Sequence, residues 1–407
     1  MRALSTLGIP VTLISVASVS TLLLLAVRQI PLYVQGPHKP VTLHQSLPLN
    51  RPEKVLALLC LGLLASRGIA IGLEVYLRPV WAWDSMQHWT KQAKVFFEMR
   101  GVVPYVSIEN WLELGGNGVY TNMHPDYPIA TPLLQAWTAI VLGYWHSSLV
   151  NLLWPAMWLA IGLVFYSQAR VAGANITVAL AATYMILSMP LLNTHAALAG
   201  YADLLMSACY LGAVAAFYNW SQTRAPWLLT LSLMTGTSCL LIKNEGFYWF
   251  LTLLPGILLA TAKHRAIMAW LAAGALGFMV FLYAVYPDLS VAGHSLADFD
   301  IFYRPDSWIP IYLSTLVHDN WHLLFYLFLA TLLTTPFLGK KVMPILAVVL
   351  SAVALYLMLY VMTSNSAGAV QFTSLNRVAL QLAPSLGFFT LIAYLALSDK
   401  KNISEAS

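Results

Sequence analysis

Apolar runs of about twenty residues, the length of a membrane-spanning helix, recur along most of this chain and constrain its fold more than any other feature. Only 9% of the residues are charged, whereas 59% are hydrophobic. Soluble domains contain roughly 25% charged residues, so this chain lacks the charge to cover a water-facing surface. Because a helix satisfies its own backbone in lipid, we predict an all-α integral membrane protein.

Eleven of the runs are long enough for transmembrane helices, which predicts a single polytopic transmembrane domain over 1–407. They lie at about 9–27, 55–77, 147–167, 174–191, 203–220, 227–242, 247–262, 266–286, 319–338, 342–362 and 378–397. We interpret the first run as a retained span, because no convincing small-residue cleavage site precedes Arg28. No internal repeat is evident, which argues against an inverted-repeat transporter.

The Lys and Arg residues of the short loops predict the orientation of these spans, because such residues favour the cytoplasmic side. They fall in six places, at Arg28 to Lys54, Arg170, Arg224, Lys263 and Arg265, Lys340 and Lys341, and Lys400 and Lys401. All six lie on one side only if a further apolar run, 128–144, does not cross the membrane. We therefore expect 128–144 to lie along the interface or re-enter, the N-terminus to be outside, and 78–146 to form a large extracytoplasmic first loop with interfacial helices.

Composition also excludes several classes of function. The net charge of +5 fits the bias of a membrane protein, and no Lys/Arg cluster marks a nucleic-acid partner. The three cysteines lie far apart in apolar runs, without metal-ligand spacing. No P-loop, dinucleotide fingerprint, serine-hydrolase elbow or zinc-protease motif occurs.

The first polar segment, 81–98, begins with a tryptophan-rich stretch just after a predicted span. If it is helical, Asp84, His88 and Lys91 share one face, because they are spaced at i, i+4 and i+7. Asp84 could act as a general base at the membrane surface. It could equally be an N-cap aspartate on an interfacial amphipathic helix.

Further polar groups lie at the outer ends of later spans. His124 and Asp126 could bind a metal, bind substrate or hydrogen-bond within their turn, but two ligands are too few for a metal site without Asp84 or Asp203. Asp203 opens a span, where it either caps the helix or lines a polar cavity. The preceding Gly-Tyr pair suggests a close approach of the backbone to another group.

Basic side chains on the same outer side need a separate explanation. Lys243 and Glu245 could form a local ion pair or bind an anionic head group. Arg377, directly before the last span, departs from the positive-inside pattern. It could bind a lipid phosphate through its guanidinium fork or lie at the interface with its charge in water. Arg304 is the second candidate for a phosphate ligand.

The order of these segments resembles the GT-C superfamily of polytopic glycosyltransferases, most closely the bacterial branch related to protein mannosyltransferases and aminoarabinose transferases. The matching pieces are Trp83-Asp-Ser with Trp89 to Lys94, His124 to Pro128, Gly200 to Leu204, Lys243 to Gly246, and more loosely Arg377 with Pro384. The chain departs from the family in having two spans before the large loop and no large soluble domain after Gly246.

The resemblance implies a GT-C-like bundle in the inner (plasma) membrane, with its active site facing the periplasm or exterior. It implies a polyprenyl-phosphate sugar as donor, membrane lipid as surroundings, Asp84 as general base and Asp203 as the second acidic position. Arg377 or Arg304 would bind the lipid phosphate, and transfer would invert the anomeric carbon. No cofactor follows from the motifs, and a divalent cation is left open.

Two other classes of function are considered. A transporter or flippase for a lipid-linked saccharide would place ionisable residues along a path to both sides of the membrane. A regulatory subunit that binds a glycosyltransferase would show no turnover by itself.

Overall fold

The computed structural model describes residues 1–29, 49–261, 290–291, 294–295 and 301–406. The chain is mostly helical, at 74%, so the predicted all-α class is confirmed. Two pairs of two-residue strands are the only β-structure in these ranges. Tyr105–Val106 (β1) and Tyr120–Thr121 (β2) pair in parallel, and Ser290–Val291 (β3) and His294–Ser295 (β4) pair antiparallel.

The helices follow one another with short connections. In the first part of the chain they are α1 (Arg2–Thr6), α2 (Leu13–Gln29), α3 (Arg51–Leu77), α4 (Thr90–Glu98), α5 (Ile108–Glu113), α6 (Ala130–Leu142), α7 (Leu153–Val171), α8 (Ile176–Leu187) and α9 (Pro190–Ala197). The later helices are α10 (Asp203–Thr223), α11 (Pro226–Ile242), α12 (Glu245–Leu251), α13 (Leu253–Thr261), α14 (Trp308–Tyr312), α15 (Leu324–Leu333), α16 (Met343–Val361), α17 (Ser366–Val370) and α18 (Leu375–Ala406).

Membrane-spanning length is reached by fewer helices than the apolar runs predicted. Within the described residues, four helices are long and apolar enough to cross a membrane: Arg51–Leu77, Leu149–Val171, Met343–Val361 and Leu375–Ser398. The bent pair α8 and α9 would make a fifth. Several of the other predicted spans are shorter apolar helices, such as α11 and α15, and 266–286 lies outside the described residues.

The apolar run 128–144 forms α6, which has 13 residues. At ~1.5 Å per residue the helix is about 20 Å long. That is shorter than the ~30 Å hydrocarbon core of a bilayer, so α6 is too short to cross it alone. The length of α6 agrees with the prediction that this run lies along the interface or re-enters.

The chain divides into two compact units. The first comprises Met1–Pro40, Ser66–Met157 and Thr194–Ala202, as far as these ranges are described. Its core lies between α4 and α6, where Ala93, Phe96 and Ala136 are buried against partly buried aromatic and aliphatic side chains. The small alanines allow the two helices to approach closely.

The second unit comprises Val41–Ala65, Trp158–Asn193 and Asp203–Ser407, as far as these ranges are described. Its central element is α18, whose apolar window is 83% buried. This helix packs against α10, α15 and α16. Because the apolar part of α18 is largely surrounded by other helices, polar side chains on its buried face are stabilised by partners inside the protein.

Candidate functional site

Asp203, the first residue of α10, is completely buried in the second unit. A buried carboxylate is costly unless it is paired and hydrogen-bonded. Oδ1 accepts from Lys243 Nζ at 3.2 Å and from Gln381 Nε2 at 2.7 Å. Oδ2 accepts from Arg377 Nε at 3.0 Å and Nη2 at 2.9 Å. Asp203 therefore lies in a buried polar network at a helix N-terminus.

Lys243 reaches Asp203 because the chain breaks sharply between α11 and α12. Its backbone is extended, with φ −152° and ψ 159°, directly after the last turn of α11. The chain then turns back so closely that a Cβ at Gly246 would lie 2.0 Å from the carbonyl oxygen of Cys239. Only glycine fits there, so the sequence from Lys243 to Gly246 encodes this break.

The break also places Glu245 beside Lys243, with Glu245 Oε1 2.9 Å from Nζ. The local ion pair that the sequence left open is therefore present. The other carboxylate oxygen, Oε2, is buried and has no hydrogen-bond partner in the described part of the chain.

Four side chains thus form a row of alternating charge, which we call the charge chain: Glu245, Lys243, Asp203 and Arg377. Its two inner members are buried, with Lys243 6% and Asp203 0% exposed. Its two ends are partly exposed, with Glu245 at 21% and Arg377 at 22%. The charge chain is neutral in sum and has an acidic end and a basic end.

Gln381 and Trp249 extend this network, and sequence reasoning did not select either. Arg377 and Gln381 are one turn apart on α18, so both reach Asp203. The indole N–H of Trp249 donates to Gln381 Oε1 at 2.5 Å. Gln381 interrupts an apolar predicted span four residues after Arg377, and this pattern was the available signal.

A groove begins at the acidic end of the charge chain, and Glu245, Tyr248 and Trp249 line it. The opposite wall includes Leu355, Met358 and Leu359 of α16, and nearly all of the lining surface is apolar. Its empty volume is about 540 Å³, including the part open to the surroundings. We call it the Glu245 groove.

Arg304 lies just before a short 3₁₀ turn, Pro305–Ser307. Its backbone N–H donates to the carbonyl oxygen of Val361 at 2.7 Å, and its guanidinium carbon lies 5.7 Å from the centroid of the Phe302 ring. The structure therefore places this candidate phosphate ligand on an exposed aromatic segment at the end of α16.

In the first unit, Asp84 precedes a π-helical turn, Ser85–Trp89, and is half-buried. Its backbone is already helical, with φ −60° and ψ −34°, and its side chain makes no capping hydrogen bond. Asp84 thus occupies the N-cap position of the π-helical turn without the capping hydrogen bond that the N-cap interpretation expected. The π-turn adds a residue to the helical repeat, so Asp84, His88 and Lys91 do not form one regular face.

His88 is buried, and its Nδ1 lies 2.6 Å from Oδ1 of Asn122, a residue that the sequence did not single out. The His124 ring lies 5.2 Å from that of His88 and stacks on Tyr127 at 4.8 Å. His88 and His124 are thus brought together. The side chain of Asp126 is exposed.

Lys91 is the last of the candidate site residues in the first unit. Desolvation of part of its side chain lowers the pKa of the Lys91 ammonium.

Among the described residues, no group of three or more His, Cys, Asp or Glu side chains has the arrangement of a metal site.

The close backbone approach expected at the Gly-Tyr pair is confirmed. Gly200 has φ +112°, and a Cβ there would lie 1.9 Å from the hydroxyl oxygen of Ser85. The neighbouring Tyr201 carbonyl accepts a hydrogen bond from Trp154 Nε1 at 2.8 Å. These contacts hold the segment before Asp203 against the π-turn that follows Asp84, within the first unit.

Comparison of the chain with protein-family models, curated proteins and solved structures finds no match in any of the three. The resemblance to GT-C glycosyltransferases therefore rests on the sequence motifs.

Proposed function

We propose that this protein is a membrane glycosyltransferase of the GT-C type, with a bundle of about eleven transmembrane helices. It would transfer a sugar from a polyprenyl-phosphate donor to an acceptor on the extracytoplasmic side of the inner (plasma) membrane. The observation that supports this most is the charge chain, whose basic end suits a phosphate and whose acidic end borders an apolar groove.

The proposed transfer requires few catalytic side chains, because a sugar on a lipid phosphate already carries a competent leaving group. The enzyme must position an acceptor hydroxyl, remove its proton and stabilise the departing phosphate. Arg377 is suited to the last task, since a guanidinium matches phosphate oxygens. Asp203 holds Arg377 through two N–H groups, which fixes the orientation of the guanidinium before a ligand arrives.

The proposal assigns the remaining roles from the sequence resemblance. Asp84 would be the general base, and its lack of a capping role leaves its carboxylate to other partners. His88, Lys91, His124 and Asp126 would bind substrate within the first unit. Arg304 would be a second ligand for the lipid phosphate.

The decisive experiment measures transfer by the purified chain in lipid nanodiscs. The donor is the polyprenyl-phosphate sugar that accumulates in cells lacking the protein. Asp84→Asn is expected to lower turnover by a factor of ~10²–10⁴, the usual contribution of a general base, with an unchanged melting temperature. Glu113→Gln, which neutralises an exposed carboxylate of α5, is the matched control and should retain full turnover.

Other outcomes would decide against the proposal in distinct ways. Full turnover by Asp84→Asn would remove this residue as the base. No turnover with any accumulated donor would favour a regulatory subunit. Movement of the lipid-linked sugar across vesicles, independent of Asp84 and Asp203, would favour a flippase.

A further inference from the structure

We propose that Asn122 is a positioning residue that holds His88 in one tautomer, with the proton on Nδ1 and a lone pair on Nε2. Nε2 then accepts a hydrogen bond from the hydroxyl group of the acceptor substrate. This second step rests on the proposed function, because it needs an acceptor that carries a hydroxyl. The tautomer itself depends only on contacts within the first unit.

The orientation of the Asn122 amide decides which nitrogen of His88 carries the proton. His88 Nδ1 lies 2.6 Å from Oδ1 of Asn122. The same Oδ1 accepts from the backbone N–H of His124 at 3.4 Å, in a turn typical of asparagine. Because a backbone N–H only donates, the atom between the two partners is the amide oxygen and not the amide nitrogen. An amide oxygen only accepts, so Nδ1 of His88 is the donor.

The other ring nitrogen of His88, Nε2, is the atom that can meet a ligand. It retains contact with the surroundings and has no hydrogen-bond partner among the described residues. The Nδ1 partner is a neutral amide rather than a carboxylate, so this contact does not stabilise an imidazolium. A neutral imidazole with its proton on Nδ1 has an acceptor at Nε2. The matching ligand group is therefore a donor such as a hydroxyl, whereas an ionised phosphate oxygen only accepts.

The backbone that carries His88 is held at both ends of its π-turn, Ser85–Trp89. The hydroxyl oxygens of Ser85 and Thr90 lie 2.6 Å apart, and Thr90 accepts from Gln135 Nε2 of α6 at 2.8 Å. Ser85 and Gln135 are completely buried. Such turns occur frequently at functional sites. Because the turn is fixed to α6, the His88 ring binds a ligand with little loss of side-chain entropy.

Asn122 is held as firmly as the histidine it orients. It follows β2 directly, and its backbone N–H donates to the carbonyl oxygen of Val106 in β1 at 3.3 Å. Its side chain is buried, with 2% of the residue exposed. The centroids of the Trp89 and His124 rings lie 6.3 and 5.2 Å from that of His88. The His88 ring is therefore enclosed, and the Asn122 contact selects one of its two tautomers.

The tautomer is tested by nuclear magnetic resonance of the full chain in nanodiscs, with isotope-labelled histidine. The His88 signal is assigned by its loss in His88→Phe, and we expect it to show the proton on Nδ1. In Asn122→Leu the Nδ1 proton loses its acceptor, so a signal with the proton on Nε2 should appear. Asn122→Asp keeps an acceptor oxygen and should keep the proton on Nδ1.

The control for these variants is Asn110→Leu, which replaces an exposed asparagine of α5 and should give the native His88 signal. A native His88 with its proton on Nε2, or with both nitrogens protonated at neutral pH, would overturn the proposal. An unchanged tautomer in Asn122→Leu would overturn it as well. The melting temperature shows whether each variant is folded, and Asn122→Ser, whose shorter side chain does not reach Nδ1, serves if Asn122→Leu is not.

The role of Nε2 toward the acceptor is tested in the nanodisc transfer assay. We expect Asn122→Leu to lower turnover ~10–100-fold, the usual effect of a misplaced group at a reacting centre, with an unchanged KM for the donor. Asn122→Asp should retain more turnover than Asn122→Leu, because it restores the acceptor for Nδ1. Asn110→Leu should turn over as the native chain does.

The two measurements separate this proposal from the proposed function. Native turnover by an Asn122→Leu chain with an altered tautomer would reject the role of Nε2 and leave the proposed function standing. A native chain that has the expected tautomer and transfers no sugar would reject the proposed function, and the role of Nε2 with it, but keep Asn122 as the residue that fixes the tautomer.

Discussion

At the scale of single residues, Gln381 explains why one particular side chain is needed inside an apolar helix. It lies between Asp203, whose carboxylate only accepts hydrogen bonds, and Trp249, whose indole only donates one. An amide has a donor group and an acceptor group at the same end of the side chain. Glutamine therefore satisfies both neighbours at once, and no aliphatic or acidic residue does so.

Replacing this glutamine should destabilise the protein measurably. Gln381→Leu leaves the indole N–H of Trp249 without its acceptor and removes one donor from Asp203. We expect a loss of ~1–3 kcal/mol in the free energy of unfolding, the usual cost of an unsatisfied buried polar group. Thermal unfolding followed with a thiol-reactive dye is suitable, because Cys60 and Cys239 are buried in the native protein.

The control for this change is Gln222→Leu. Gln222 is exposed and donates to the Lys341 carbonyl, so water can replace its partner and the effect should be within ~0.5 kcal/mol. Equal destabilisation by the two variants would show that the hydrogen bonds of Gln381 contribute nothing special to the network.

Gly246 provides a second prediction at this scale, because it determines where Lys243 and Glu245 lie. Gly246→Ala would place a methyl group 2.0 Å from the Cys239 carbonyl oxygen, which is backbone and cannot rotate away. We expect a loss of ~1–3 kcal/mol or more in stability, as for other overpacked sites. The control is Gly339→Ala, where no atom lies within 4 Å of the added carbon. This variant should have the same melting temperature as the native protein.

At the scale of elements, the breaks between helices were harder to predict than the helices. The apolar runs predicted the positions of α3, α16 and the apolar part of α18 to within a few residues. The π-turn after Asp84 was missed, because an extra residue in a helical repeat has no composition signal. Several predicted spans proved short, since hydropathy windows do not register a bend inside an apolar run.

The short helix α6 leads to a prediction about topology. If it does not cross the membrane, Asn117 before it and Tyr144 after it lie on the same side. In a chain whose native cysteines are replaced, Asn117→Cys and Tyr144→Cys should both react with a membrane-impermeant maleimide added outside. Lys340→Cys should react only after permeabilisation. Opposite labelling of the first two positions would show that the segment crosses.

At the scale of the whole molecule, composition was enough to predict a helical chain in which several helices are long and apolar enough to cross a membrane, because scarcity of charge is a global property. Members of the site were partly predictable. Asp203, Lys243, Glu245 and Arg377 were selected because charges are conspicuous in apolar sequence. The contacts between these four residues could not be predicted, since the contact of Asp203 with Arg377 joins residues far apart in the chain. Gln381 and Trp249 were missed because an amide and an indole carry no charge.

The neutrality of the charge chain has an evolutionary consequence. Loss of either inner member, Asp203 or Lys243, would leave a net charge in a buried site, which is far more damaging than loss of an oppositely charged pair together. Descendants of this gene should therefore exchange positions 203 and 377, or 243 and 245, as couples. A lineage in which only one partner has changed would mark the point at which selection on the site was relaxed.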